Sequence, residues 1–578
     1  MTQMLQSLRR VLAFGLVFAA VTLPLAALTL YGTRTLAAPT ITGLSATTLA
    51  QAGRLKISGN SFGAEQGSGI VTIGGATAPV SKWTNTSITA YVPDSSPLGS
   101  EPVQVVTSGG TSNTLPLIVT ARSAAGRIQW RFQADGLYIQ GRAGIGPDGT
   151  IYALDVGGHL YALTPSGGVK WIFNTGPVAI QSVEVGPDGT IYFGSSVNKI
   201  YAVNPDGTLK WTITDPSGAQ VGAGPDVGPD GKIYAVTEDA GLPSGLGEMT
   251  ISRAGQVLTN RPNYLTGRGS ELLTREIVFG PTNQFYFVMN NLDNNSGLQF
   301  FRLGGTFLFA RLAGGDDNQP AVGPHGNIHS TIANNQLGVF DSSGNLLRSS
   351  FFNTLTAPNV GSDGTIYVGE NFPTNVMALN PDLSVKWKLA NSIGYLVGPV
   401  VDSSNALVVV GANGIGGVLS AVQGIDAATG TLSWQVDLPA ENGGFVRPMS
   451  RARFSLDAAT VYVGMDVNDN AADPYTYLYA IDTGVDGGGS GIPCGDLLSF
   501  QARCKSGGGG QKLQAKVTLT NTSHSGEQVT ITIDGNPTPV TINGNQAQLS
   551  INNPPPGEHM VELTDPAGCF PPMVPSCN

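Results

Sequence analysis

The chain has 578 residues, enough for several domains, and 30 Lys and Arg against 40 Asp and Glu give it a formal net charge of −10. Only 12% of its residues are charged, about half the roughly 25% of an ordinary soluble domain, while 78 are Gly and 37 are Pro. Cations scattered over an acidic chain argue against a nucleic-acid surface, and Gly-rich segments without helical periodicity point to an all-β protein.

Residues 1–10 are basic through Arg9 and Arg10, residues 11–31 are apolar apart from Thr22 and Thr29, and Leu36-Ala37-Ala38 follows. A basic start, an apolar run and an exit of small residues resemble a secretory signal over 1–38, which predicts export to the periplasm, cell surface or medium. Left uncleaved, the same apolar run is long enough to anchor the chain in a bilayer, the only membrane contact the sequence offers.

Residues 39–121 alternate apolar and polar positions in RLKISG, GIVTIGG, SITAYVP and PVQVVTS, separated by Gly, Pro and Ser turns. That pattern predicts an immunoglobulin-like sandwich, with Trp83 in its core. The order PTITGLS, GRLKISGNSFG, VTIGG, NTSITAYVP and GGTSNTLPLIV resembles the IPT/TIG domain, which implies a spacer or protein-contact module in an exported protein.

An internal repeat follows. GPDGTIY occurs at 146–152 and 186–192, GPDGKIY at 228–234 and GSDGTIY at 361–367, with looser copies starting at Gly280, Gly323, Asp402 and Leu456. Copies roughly 40 to 55 residues apart signal a radial or solenoid array. Pro-Asp-Gly sets a tight turn, and the β-branched and aromatic residues after it favour a strand. A second strand such as HLYAL or KIYAV and a Trp-bearing one such as VKWIF or LKWTI complete four short strands per copy, the composition of a propeller blade.

The last copy stops at YLYAIDTG, 477–484, without a Trp-bearing strand, whereas GRIQWRF, 126–132, precedes the first copy with no copy of its own. Joining the two closes a ring and removes its free edges, predicting an eight-bladed β-propeller over 126–484. Trp130, Trp171, Trp211, Trp387 and Trp434 recur at one repeat position, with Leu258, Phe309 and Arg348 in the other copies. Large aromatics at blade period are read as packing between blades.

The DGxxYA, LYAL and GxxxW elements, carried here by Gly149, Tyr152, 160–163 and Trp171, resemble the PQQ-like repeat family. That family implies either a quinoprotein dehydrogenase holding pyrroloquinoline quinone and calcium, or a scaffold such as the outer-membrane assembly lipoprotein. The adjacent Cys pair typical of the dehydrogenases is missing, since 126–484 holds no Cys. No catalytic or cofactor-binding residue can be carried across, so a binding protein is expected in preference to an enzyme. The alternative is a quinoprotein-like, glycan-binding or glycan-acting site at the channel mouth.

Other motifs are sparse. His325 and His329 are four apart on a repeat turn and strand, about 13 Å along an extended chain, too far to share a metal. Asp466, Asn468 and Asn470 place oxygen ligands at alternate positions, a candidate calcium set that lacks the Gly and distal Glu of an EF-hand and also fits an ordinary turn. The longer insertions 241–247, 264–271 and 290–297 form a binding face if they project on one rim.

Residues 485–493 are a Gly-rich linker, and all four cysteines follow it: Cys494, Cys504, Cys569 and Cys577. With alternating strand runs between them they predict a small β-sandwich over 494–578 with two disulfides, whose pairing the spacing leaves open. The whole chain reads as an exported binding or scaffold protein with a protein or glycan partner and no cofactor beyond the candidate calcium.

Overall fold

The protein is described here by a computed structural model over residues 37–577, except for short stretches that include 122–126, 239–245, 313–318, 439–444, 469–475, 485–496 and 566–572. All of the candidate signal, 1–38, but its last two residues lies outside the described residues, as do Asn470, Cys494, Cys569 and the whole linker, 485–493. Among the described residues every element is a strand.

The first 80 or so described residues form two facing sheets. Strands Thr40–Leu44, Arg54–Asn60, Ser87–Tyr91 and Val80–Trp83 make one, in that order, and Thr48–Ala50, Leu115–Thr120, Gly99–Thr107, Ile70–Ile73 and Ala76–Ala78 run in order through the other. Alternation sends Leu55, Ile57, Val71, Ile73, Ile88, Val103, Val105 and Leu117 into a common core between them. Trp83 packs on the edge of this core, and its indole N–H donates to the Phe62 carbonyl at 3.1 Å.

Among the described residues, 127–484 form eight successive antiparallel sheets. The first is typical: Gly144–Ile145, Ile151–Leu154, His159–Leu163 and Val169–Asn174 run side by side from inside to outside. In the eighth, Thr460–Asn468 pairs with Thr476–Asp482, and the outermost strand is Ile128–Ala134, contributed from before the first sheet. The middle two strands are buried on both faces, as IYAL and HLYAL show, because each sheet is covered by its neighbours.

The repeat's turn and its tryptophan have separate tasks. Asp148 accepts the Thr150 N–H at 3.0 Å and its hydroxyl at 2.7 Å, and Lys170 caps it at 3.1 Å; Asp188 repeats the arrangement with Thr190 and Lys210. Four of the five tryptophans, Trp130, Trp171, Trp211 and Trp387, stand on the tyrosine of their own sheet, and all five bond to the next sheet. Trp171 lies 5.7 Å from Tyr152, and its indole N–H donates to the Pro205 carbonyl at 2.9 Å. Trp211 donates to Arg253 at 3.0 Å, Trp387 to Ala427 at 2.9 Å and Trp434 to Thr483 at 2.7 Å. Trp130 stacks on Tyr462 of the eighth sheet and donates to Pro165 of the first at 2.9 Å. For Trp130, Trp171, Trp211 and Trp387, room for the indole is made by a glycine in the receiving turn. At Gly167, φ +85°, a Cβ would lie 2.5 Å from the Trp130 ring.

The three copies without Trp diverge. Arg348 keeps the bond, its Nη1 donating to the Pro381 carbonyl at 2.5 Å. Leu258 is not the counterpart, which corrects the sequence reading. Val257 pairs with Ile251 as Val169 pairs with Leu163, so the position two residues on, Thr259, takes the tryptophan's place and Leu258 points outward, 44% exposed. A one-residue slip reverses the face of a strand side chain.

The last described unit, Leu497–Cys577, is two three-stranded sheets and a short two-stranded pair around Leu513, Val517, Val529, Ile531 and Val561. Cys504 is disulfide-bonded to Cys577, at a sequence separation of 73.

Candidate functional site

The inner strands of the eight sheets surround one cavity of about 310 Å³. Its wall takes residues from seven sheets, including Arg142 from the first, Glu184 from the second, Asp226 from the third, Phe279 from the fourth, Gln319 from the fifth, Asn359 from the sixth and Arg451 from the eighth. Such a wall arises because each inner strand has an inward edge that no further strand covers, so its side chains meet those of the other copies on the axis.

Arg451 reaches furthest. Its guanidinium donates to the carbonyls of Pro358 and Pro399 at 3.3 and 3.0 Å and contacts the Gln319 amide oxygen at 3.5 Å, tying the eighth sheet to the fifth, sixth and seventh. Asp226 accepts the Ile277 N–H at 2.6 Å and so joins the third sheet to the segment entering the fourth.

The topology also fixes which rim is which. In every sheet the turn between the first and second strands and that between the third and fourth lie on one rim. The second hairpin and the connection to the next sheet lie on the other. Strand ends Glu238 and Leu246, Leu265 and Ser270, and Asn291 and Gly297 all face that second rim. The insertions 241–247, 264–271 and 290–297 therefore leave from one side, though much of each lies outside the described residues. Arg142 and Gln319 precede their inner strands and so stand at this same rim, whereas Arg451 lies between the two inner segments of the eighth sheet, Phe445–Pro448 and Arg453–Phe454.

The immunoglobulin-like unit is fastened by buried contacts where the outer strand of the eighth sheet, Ile128–Ala134, leads into the first sheet. Arg54 holds Asp135 with Nε at 3.0 Å and with a second, shorter bond from Nη2, and the Ser81 hydroxyl donates to the other carboxylate oxygen at 3.0 Å. Arg54 and Asp135 side chains are 10% and 4% exposed, so the pair is shielded from solvent screening. Beneath it, Tyr91 packs 5.1 Å from Phe132 and 6.1 Å from Tyr161 and belongs to the ring's own core cluster. The Tyr161 hydroxyl donates to Asp155 at 2.9 Å and accepts the Asp135 N–H at 2.9 Å. His159 Nδ1 sits 2.9 Å from Asp155. Burial lowers the His159 pKa, but the Asp155 carboxylate outweighs it and holds the imidazole above its ordinary value. Burial also pushes the Tyr91 and Tyr161 hydroxyls far above the usual phenol range, so both stay neutral.

The residues singled out in the sequence are scattered. Asp466 lies buried in strand Thr460–Asn468, opposite Arg447 and Thr476, and Asn468 ends that strand, while Asn470 is outside the described residues. His329 is buried and His325 exposed. Among the described residues no group of three or more His, Cys, Asp and Glu is placed to hold a metal. The cavity does not suit a planar, polyanionic quinone with calcium. Its wall sets two carboxylates against two guanidiniums and offers one aromatic ring, Phe279, where such a ligand needs cations and flat faces. Sequence reasoning missed the cavity wall and the Asp135 junction. Aligning the copies on the residue that closes each inner strand would have placed Glu184, Asp226 and Asn359 in one column.

Residues 39–119 match the IPT/TIG domain family. No curated protein matches the chain. Among solved structures the chain is similar to BamB from Moraxella catarrhalis at 14% identity, covering 61% of this chain and 98% of that one with a TM-score of 0.43. It is also similar to the computationally designed Ika8 protein (12% identity, 61% and 100% covered, TM-score 0.45) and to the Dos1 propeller (12%, 61% and 94%, TM-score 0.44). Likeness at this level adds nothing to what the strand pairing already gives.

Proposed function

We propose that the chain is an exported, non-catalytic binding or scaffold protein. In this reading an IPT/TIG domain over 39–121, an eight-bladed PQQ-like propeller over 126–484 and a disulfide-bonded β-sandwich over 494–578 act as one display platform. The observation that carries it is the buried Arg54–Asp135–Ser81 junction. It fastens the first domain to the ring, so that the two present a composite surface in fixed register. A flexible spacer would not need a shielded ion pair or a shared aromatic core. Export is supported by the basic and apolar start of the sequence and by the Cys504–Cys577 disulfide, which suits an oxidising compartment. The partner is a protein or glycan at the cell surface, met by the rim that carries the longer insertions.

The test is surface plasmon resonance of the exported protein against a glycan array and purified cell-envelope proteins, repeated with Asp135→Asn. Saturable binding that weakens when the junction is loosened supports the platform. Dye-linked oxidation of alcohols or sugars after addition of pyrroloquinoline quinone and calcium would replace it with a dehydrogenase.

A further inference from the structure

The C-terminal unit separates its charges. Residues 494–578 hold four cations, Arg503, Lys505, Lys512 and Lys516, and six acids. All four cations fall on the sheet formed by Leu497–Gly507, Gly510–Leu519 and Gln546–Asn552, strands that contain no Asp or Glu. Glu562 and Asp565 lie instead on a strand of the other sheet, opposite Thr532 and Thr530, and Glu558 lies opposite Ser576 in the short pair. Alternation turns Phe500, Leu513, Ala515, Val517 and Ala547 into the core, so the residues between them form the outer face. There Lys505 lies opposite Lys512, Arg503 opposite Gln514, and Lys516 opposite Gln501 and Gln548. Ser550 and Asn552 complete the rows of Gln514 and Lys512. Arg503, Lys505 and Lys512 are exposed and Lys516 is half-buried, and among the described residues none of the four pairs with an acid.

Two ammonium groups directly opposite each other weaken a sheet, so folding does not account for the Lys505 and Lys512 pair. An anion lying across both would offset their repulsion. The four cations extend over two row spacings, about 14 Å along the strands. That is too far for one carboxylate or phosphate and suits a polymer with an anionic group in each repeat. Between the cations stand the amides of Gln501, Gln514 and Gln548 and the Ser550 hydroxyl, groups that bond to hydroxyls. These rows carry no aromatic or aliphatic side chain, so the face has nothing to stack on a nucleic-acid base or to enter a lipid layer.

We propose that the outer face of this sheet binds an acidic polysaccharide. Its carboxylates or sulfates lie on Arg503, Lys505, Lys512 and Lys516, and its hydroxyls on the amides between them. The site belongs to the C-terminal unit and is independent of the rim surface invoked for the scaffold role.

The experiment is calorimetric titration of the full exported protein with polygalacturonate and dextran sulfate, with neutral dextran and inorganic polyphosphate as references. Saturable binding of at least one acidic polysaccharide is expected, weakening as salt rises, with none of dextran. Lys505→Gln with Lys512→Gln should weaken it at least about tenfold, the effect of two exposed charge contacts. The same pair of changes should leave the melting transition of the C-terminal unit in place or raise it, because like charges no longer face each other. Gln514→Ala keeps every charge and should weaken the polysaccharide about fivefold while sparing polyphosphate. No saturable heat with either acidic polysaccharide overturns the proposal, as does binding that the double lysine variant leaves unchanged. Tighter binding of polyphosphate, duplex DNA or phosphatidylglycerol vesicles at equal charge concentration overturns it as well and assigns the face to phosphate polymers or a membrane.

Discussion

The indole N–H of Trp130 donates to the carbonyl of Pro165 at 2.9 Å, although Trp130 belongs by strand pairing to the eighth sheet and Pro165 to the first. The same bond joins Trp434 of the seventh sheet to Thr483 of the eighth, so Trp130 continues a series that runs around the ring and crosses its chain ends. Its partner strand is Thr476–Asp482, whose Ala480 lies opposite the indole as Ala162 lies opposite Trp171. Trp130→Ala should therefore cost about 3–5 kcal/mol, the usual range for emptying a buried large aromatic. Trp130→Phe should cost about 1 kcal/mol from the lost hydrogen bond, plus some packing. Denaturant unfolding followed by tryptophan fluorescence measures both. A cost for the alanine variant below that of an exposed substitution such as Leu258→Ala would show that the ring does not depend on this closure.

Arg54 and Asp135 make the second prediction. Breaking a shielded ion pair leaves the surviving charge without its partner, at about 3–5 kcal/mol, whereas exposed pairs such as Lys170–Asp148 contribute at most about 1 kcal/mol. Arg54→Gln should destabilise the protein and increase protease cleavage between residues 121 and 127, while Lys170→Gln should leave both unchanged. His159 adds a pH signature to this junction. Its folded pKa is raised, so the stability it contributes is complete below the unfolded value near 6.5 and is lost as pH rises through the folded value. His159→Gln should flatten that alkaline decline in a melting series.

How far the sequence was legible follows from how local each feature is. The turn chemistry of Asp148 and Thr150 spans two residues, and the alternation of TIY and LYA spans one strand, so both are written in short words that recur. Arg348 was less legible, because a guanidinium and an indole share no side-chain shape, only a donor that reaches the next sheet. Thr259 was misplaced by one residue because Leu258 fits an apolar pattern better, although the strand alternation excludes it. The Arg54–Asp135 junction joins residues 81 apart across two domains, and no periodic signal connects them. Glu184 and Asp226 were hidden by diversity. The copies hold different residues at that column because they face an axis, where packing does not dictate a residue type.

The Cys504–Cys577 disulfide closes 73 residues of a small sandwich whose core is modest. On the chain-entropy account, a loop of this size stabilises by about 4 kcal/mol. Cys504→Ser with Cys577→Ser should therefore lower the melting transition of the C-terminal unit alone, while the ring transition keeps its midpoint. Calorimetry with and without a reductant resolves the two. A shift of the ring transition of equal size would mean that the two units unfold as one.

His329 and Arg348 replace the tyrosine and tryptophan that stack in other copies, as Tyr367 and Trp387 do at 6.0 Å in the next sheet. The exchange makes the fifth sheet sensitive to acid. Burial, with a smaller contribution from the Arg348 charge, pushes the His329 pKa down to about 4, against the bonding of Ala321 and Asn327. A lowered folded pKa means that the unfolded chain takes up the proton more readily. Stability is thus complete above about 6.5 and falls as pH drops toward 4, by up to about 3 kcal/mol. Restoring the repeat pair with His329→Tyr and Arg348→Trp should remove that loss, because the tyrosine stays neutral throughout and the indole N–H can still reach the Pro381 carbonyl. Melting temperatures of both proteins at pH 7.5 and 4.5 decide the matter. The expected result is a smaller acid shift for the double variant, and an unchanged shift would place the acid sensitivity elsewhere.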